Sequence, residues 1–358
     1  MRRLRSRACV CLLLGTVLIA GAAACTDDGG ADGPGSRDRT RHTVTAERGT
    51  AETCMERYGH PYPAGPRYVA GLTRDGRARY EQAAADCRGG RELSAAESRA
   101  VGRAEEILVG RCMRRAGLPY WVPPAPSAAE LREFPYVVDD VDWARKHGYG
   151  RELEHEKAAA RDDNPNTRYA QRLPASRERA YDRALNGDRE HTLTVTAPNG
   201  DRVVRATTGC RATARGELYG DTAAWARVTA VLEHLPDVSR TVTDSPYYRR
   251  HERAWAGCMR DTGYAVNSPR QARSSLPPAA PHRTETRLAT AEARCAQSSG
   301  LARAVAGLQR QSQEQARLPY EDVVRAHTRM RLAALDRARA VNGVERPTTK
   351  GEALRRNP

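Results

Sequence analysis

The chain has 358 residues, enough for one large domain or two small ones. Only 39% of them are hydrophobic, 29% are charged and a single phenylalanine, Phe134, is present, which excludes a core built on aromatic bulk. The formal net charge is +15 and is carried almost wholly by arginine, since Lys146, Lys157 and Lys350 are the only lysines; with so much alanine, that bias reads as GC-rich coding rather than as a binding device.

The first residues set the compartment. "MRRLRSR" is a positive n-region, "ACVCLLLGTVLIA" an apolar run and "GAAAC" a small-residue site ending at Cys25. Together they form a secretory signal over residues 1–24. A cysteine directly after the small residues resembles a bacterial lipoprotein box, and that resemblance implies a diacylglycerol on the sulfur of Cys25 and Cys25 as the mature N-terminus. An ordinary cleaved signal and an uncleaved anchor are the alternatives; the apolar run from Ala8 to Ala24 is at the short limit for a spanning helix. The expected location is the outer face of the bacterial cytoplasmic membrane. Residues 25–49, polar and Gly-rich, read as a flexible tether.

From Thr50 most segments read as helix. "SAAE" occurs at Ser94–Glu97 and at Ser127–Glu130, two capping-box signatures. After the first, Val101, Ala104, Leu108 and Cys112 recur at helical spacing until Gly117. The Pro-rich "VPPAPS" and "LPPAAP" are rigid connectors. "TLTVTAPNGDRVVRATTGC" differs: β-rich alternation on either side of Asn199-Gly200 predicts a hairpin at about 192–207. Asp221 caps a helix that ends before Pro236. Asp244 is the expected cap of another, with Pro246 in its first turn, Tyr248, Trp255, Cys258 and Met259 on one face, and Gly263 as its stop. The run from Leu301 to Asn342 is helical in composition, divided or kinked at Pro319, with Val324, Leu332 and Leu335 as a modest apolar stripe. The fold class expected is mainly α: a disulfide-stapled helical domain over 50–342 with one inserted β-hairpin, followed by a flexible tail at 343–358.

Six cysteines remain beyond Cys25, an even count that in an exported chain implies disulfides. Cys54, Cys112 and Cys258 each open the string Cys-Met-x-x-x-Gly; Cys87, Cys210 and Cys295 do not, and the two types alternate along the chain. Three repeated units would pair Cys54 with Cys87, Cys112 with Cys210 and Cys258 with Cys295, the middle unit holding the hairpin as an insertion. The glycine suits the left-handed turn that closes a helix, and the methionine is an adaptable filler beside the bridge. Tyr80, Ala83, Ala84 and Cys87 share one face of a partner helix, as do Leu288, Ala291 and Cys295. Chain entropy puts each bridge at roughly 3.5–4.7 kcal/mol for loops of these lengths. "GCMRDTGY" at 257–264, "YDRALNG" at 181–187 and "GCRATARGELYGD" at 209–221, together with the lipidation signal, resemble a group of actinobacterial secreted lipoproteins of unknown function. The resemblance implies export and anchoring and supplies no activity.

Motifs of catalysis are scarce. "EHEKAAA" around His155 lacks the second histidine of a zinc protease helix, and there is no G-x-S-x-G elbow, P-loop or G-x-G-x-x-G. No mature cysteine lies in a C-x-x-C pair, and three separate Cys-Met sites do not by themselves make a copper centre, so no cofactor or metal is expected. Asp139-Asp140 and Asp162-Asp163 read as caps or solvated pairs, His251 as a packed or capping residue, and Tyr62, Tyr68, Tyr120 and Trp121 as core fillers rather than a groove. The segment 301–358 holds twelve Arg/Lys against six Asp/Glu and one aromatic, Tyr320. A solvated helix surface explains it best; anionic lipid or cell-wall polymer is the partner it would suit, and nucleic acid is excluded by export and by the lack of stacking residues. The functional expectation is a lipid-anchored extracytoplasmic envelope protein with a binding or structural role, the alternative being an exported enzyme such as a cell-wall hydrolase.

Overall fold

In the computed structural model, residues 50–344 are described. The signal, Cys25, the tether and the tail from residue 345 lie outside them. Capping chemistry accounts for most of the helix starts. α1 (Thr50–Arg57) and α2 (Pro66–Gly71) lead to α3 (Arg74–Cys87), whose N-cap Thr73 accepts from the Gly76 amide. α4 (Ala95–Arg115) opens on the full capping box, with Ser94 and Glu97 each bonding the other's backbone. The second "SAAE" makes the same two bonds, Glu130 N–H to Ser127 Oγ at 3.1 Å and Ser127 N–H to Glu130 Oε2 at 2.6 Å. It closes only a turn, because Pro135 follows within a few residues and no apolar stripe carries the pattern on. α5 (Val141–His147), α6 (Arg151–Asp162), α7 (Pro165–Gln171) and α8 (Ala175–Asn186) come next.

The hairpin is present as strands β1 (Thr192–Thr196) and β2 (Arg202–Ala206), antiparallel with Val195 opposite Val203. Gly200, at φ 87°, turns the loop, and Asn199 Oδ1 accepts from the Asp201 amide. The excursion leaves and returns through a narrow neck. A Cβ on Gly187 would lie 2.4 Å from the Thr208 carbonyl oxygen, and one on Gly209 would lie 2.3 Å from the Gly187 nitrogen. Only glycine lets the two backbones cross there.

The remaining helices are α9 (Gly209–Tyr219), α10 (Thr222–Leu232), α11 (Ser239–Thr243), α12 (Pro246–Asp261), α13 (Pro269–Ser274), α14 (His282–Ser298), α15 (Leu301–Arg317) and α16 (Glu321–Val344). Asp221 caps α10 as expected. The cap of α12 is Ser245 rather than Asp244: Ser245 Oγ accepts from the Tyr247 amide, and Asp244 instead ends α11 and ion-pairs with Arg249 at 2.9 Å. Pro246 at the first helical position forces an extended residue before it, and that residue is the serine. Pro319 sits in a 3-10 turn, Leu318–Tyr320, between α15 and α16.

Three disulfides join Cys54 to Cys87, Cys112 to Cys210 and Cys258 to Cys295, with Cα separations of 5.7, 5.4 and 5.6 Å. These are the pairs that the repeat implies. The repeated string has one geometry in all three places. Gly59, Gly117 and Gly263 take φ of 76°, 72° and 91°. The residue after each glycine donates back to the carbonyl of the motif methionine: His60 to Met55 at 3.1 Å, Leu118 to Met113 at 2.9 Å, Tyr264 to Met259 at 2.9 Å. This is the Schellman closure, with methionine at C3 and cysteine one residue earlier, on the last turn. All three methionines are fully buried, so each bridge is backed by a thioether packed into its own core.

Each bridge has such a core. Met55, Val69, Tyr80 and Ala84 pack around the first; Val101, Leu108, Met113, Tyr181 and Leu218 around the second; Trp255, Met259, Leu288, Leu301 and Leu308 around the third. The C-terminal helices connect them. α15 packs on α2, α11, α12 and α14, and α16 packs on α4, α9 and α10. The buried face of α16 is Ala334, Leu335 and Ala338, while Val324 and Leu332 are half-buried. Alanines thus supply much of the stripe and let the helices approach closely.

The glycine of the string is required by backbone conformation and not by space, since nothing lies within 4 Å of a Cβ built at Gly263. Gly263→Ala should therefore cost about 1 kcal/mol in urea unfolding, the price of a left-handed alanine. Gly257→Ala, inside α12 where a Cβ would meet only Arg260 at 3.9 Å, should instead gain about 0.5–1 kcal/mol. Equal effects at the two positions would contradict the assignment of the motif.

Candidate functional site

A cluster of buried titratable groups lies where α12 and α13 meet α14. α14 carries two buried carboxylates, Glu285 and Glu292, two turns apart on the same face as Leu288 and Cys295. Both are consumed by the segment that begins at Val138. Glu292, with no exposed surface, accepts from the Val138 amide at 2.8 Å and from the Tyr149 hydroxyl at 2.7 Å. Glu285 accepts from the Tyr149 amide at 2.7 Å and the Arg151 amide at 3.4 Å. The Arg273 guanidinium on α13 lies 3.6 Å from Glu292 and 5.6 Å from the Tyr149 ring centre. Trp255 of α12 donates to the Glu292 carbonyl at 3.3 Å.

Electrostatics follow from this burial. Desolvation pushes the Glu292 carboxyl up, and Arg273 with the hydrogen bonds only partly offsets it. Burial, with Glu292 alongside, pushes the Tyr149 phenol up as well. The network is a buried polar seam that fixes the 138–151 segment onto α14.

Above it opens a cleft of about 720 Å³, lined by Asp244, Tyr248, Arg249, Glu252, Arg270 and Arg273 among others. Arg249 is tied to Asp244. Glu252 accepts from the Tyr248 hydroxyl at 3.2 Å, and burial pushes its carboxyl up. Arg273 is 31% exposed and joins the seam to the cleft. A second depression, about 550 Å³, is floored by the Cys258–Cys295 bridge and carries Arg145, Arg287 and Arg294 with the hydroxyls of Thr286 and Thr290. Both clefts carry guanidinium groups, the equipment for holding an anionic ligand, while the Thr286, Thr290 and Tyr248 hydroxyls already donate within the protein.

The residues singled out in the sequence fall mostly into structural roles. Asp140 caps α5 through the Trp143 amide, and both Asp139 and Asp140 lie near Arg132, at 3.4 and 3.7 Å. Asp163 pairs with Arg168 at 3.4 Å. His251 Nδ1 lies 2.9 Å from the Ser299 carbonyl at the end of α14, and His60 Nδ1 lies 2.8 Å from the Tyr68 hydroxyl. Tyr120 is core, bonded to Glu106 at 2.5 Å, while Trp121 is 39% exposed. Lipidation at Cys25 lies outside the described residues. Glu252, Arg273, Glu285 and Glu292 were not singled out. Their signal was present for one helix: an acid at 292, four residues after Leu288 and three before Cys295, interrupts an apolar face.

Among the described residues no group of three or more His, Cys, Asp or Glu side chains is placed to hold a metal ion, and no helix is long and apolar enough to cross a membrane. No family model, no curated protein and no solved structure matches this chain.

Glu292→Ala orphans two buried donors and leaves Arg273 without its carboxylate. Because that guanidinium is partly hydrated, the cost should lie at the low end for a broken buried pair, about 3 kcal/mol in chemical unfolding. A loss below about 1 kcal/mol, ordinary for a surface change, would show that the seam is not what holds the 138–151 segment.

Proposed function

We propose that the chain is an exported protein, held at the outer face of the bacterial cytoplasmic membrane by a diacylglycerol on Cys25, with a binding or structural role in the envelope. The observation that carries this reading is the state of the cysteines: all six beyond Cys25 are paired in the structure, each pair closing a separate core. Structural disulfides of this kind belong to oxidising compartments outside the cytoplasm. The signal at 1–24 and the cysteine that follows it supply the route and the anchor. Two acyl chains on one residue are the pair of signals that stable anchoring needs. The arginine- and hydroxyl-bearing clefts suit anionic partners at that surface, lipid headgroups or cell-wall polymers, rather than a buried apolar ligand.

One observation favours a second reading, an exported hydrolase acting on wall material. Glu252, whose carboxyl burial pushes up, and Asp244, paired with Arg249 at 2.9 Å, line the same cleft. Two carboxyl groups lining one cleft, one of them pushed up by burial, are the kind of pair that general acid–base hydrolysis uses. Under the hydrolase reading, isolated wall material would be cleaved by the wild type and not by Glu252→Gln.

Two measurements test the first reading. Globomycin or Cys25→Ala should block lipid-linked maturation and release the protein from the membrane fraction; retention and maturation unchanged by either would overturn the anchor. Peptide mapping without reductant should recover Cys258 linked to Cys295 and no free thiol among the six. A Cys112–Cys258 link, or a reactive thiol, would remove the observation on which the proposal stands.

A further inference from the structure

A smaller cavity lies away from both clefts, between the α3–α4 connection, the end of α10 and the α15–α16 junction. Its volume is about 230 Å³, below the roughly 300–1,000 Å³ of sites for drug-sized ligands, so its occupant is small. One part of its wall is apolar: Leu93, Leu232, Leu235 and Val324. The other part is cationic. Arg91 is already held by Glu97, with two contacts of 2.7 Å. Arg331 donates at 2.8 Å to the Ser98 hydroxyl, a neutral partner that leaves its charge uncompensated. Arg317 completes the set, and Glu92 is the acid on the lining.

Between these guanidinium groups stands His327. Its ring lines the cavity and stacks on Trp225, with centroids 5.2 Å apart and planes 16° apart. Trp225 is stacked in turn on Tyr219, at 3.5 Å and 4°. Tyr219 is held from behind by Glu105 at 3.3 Å. The imidazole is therefore fixed in place by a three-ring column drawn from α9, α10 and α16. An imidazole flanked by guanidinium groups has no electrostatic reason to be charged; it acquires one when an anion arrives.

We propose that this cavity binds a small carboxylate with an apolar body, its charge set against Arg317 and Arg331, and that His327 takes up a proton from solvent as the ligand binds. The lipid anchor plays no part in this, so the proposal stands or falls separately from the one above.

The sign of the linkage follows from the groups around the ring. Burial comes first in lowering His327 to about 4, then Arg331, then Arg317, while Glu92 acts the other way. A carboxylate seated on the two arginines offsets the second and third causes and leaves the first. The bound complex thus holds the proton at a higher pH than the free protein does. Affinity must rise as pH falls toward the free value, by at most about tenfold per pH unit for one proton.

Benzoate is a suitable probe, being small, apolar in body and still ionised above pH 5. Calorimetry on the full chain in two buffers of different ionisation enthalpy reads both affinity and proton uptake. In wild type, affinity should rise by up to about threefold between about pH 7.5 and about pH 5.5, with measurable proton uptake. His327→Gln should still bind, without the pH dependence or the uptake. Arg331→Gln and, independently, Arg317→Gln should each weaken binding by about tenfold, circular dichroism confirming the fold. The proposal is overturned if millimolar benzoate gives no heat in the wild type, if His327→Gln keeps the wild-type pH slope, or if folded variants at both arginines bind as the wild type does.

Discussion

The fold depends on how a chain with few aromatics closes its helices. Each of three helices ends in a left-handed glycine, and the Schellman closure fixes where the preceding turn points. On that turn the cysteine faces the partner helix and the methionine faces the core. The bridge and the apolar contact are thus set by one local backbone event. The covalent link then holds cores whose largest side chains are single residues such as Tyr80 and Trp255. Cores this modest suffice because the denatured chain they compete with has been shortened by three loops.

Stapling alone would leave three loosely related bodies. The C-terminal pair of helices supplies the cross-ties, and many are polar. Arg88 meets Glu314 at 3.4 Å, the Ala51 amide donates to Glu321 at 2.9 Å, Arg337 donates to the Leu218 carbonyl at 2.8 Å, and Asn342 donates to the Ala100 carbonyl at 3.0 Å. The 3-10 turn at Pro319 redirects the chain so that α15 serves the third core and α16 the second. The cavity at His327 sits beside this redirection. It is bounded by residues from three places in the chain, the α3–α4 connection, the end of α10 and the α15–α16 junction.

Much of this was legible in the residues. The glycine string is local, so its geometry is carried by the six residues that spell it, and its alternation with the second cysteine type was enough to give the pairing. Asn199-Gly200 announced the hairpin for the same reason. What depends on distant partners was not legible. α16 buries alanines at 334 and 338, which carry no distinctive signal, so its membership of the second core is visible only in three dimensions. Glu292 and Arg273 meet across helices separated by a connector, and His327 meets Trp225 from about a hundred residues away. The second "SAAE" shows the converse limit: its hydrogen bonds form, yet a cap without a following apolar stripe does not produce a helix. Function shares the fate of the long-range contacts, because both clefts are assembled from residues that no short motif joins.

The glycine neck at the base of the hairpin has an architectural consequence. Gly187 and Gly209 are in backbone contact, so the chain from 188 to 208 departs and returns at a single point. Its own apolar cluster is small, with Val195, Ala197 and Val203 resting on Ala230, and Arg205 reaching Glu233 at 2.6 Å. Seen this way the hairpin is an appendage on a continuous α8–α9 corner. Because the segment's two ends meet at that point, its length is not set by the distance that α8 and α9 must span to place the second disulfide.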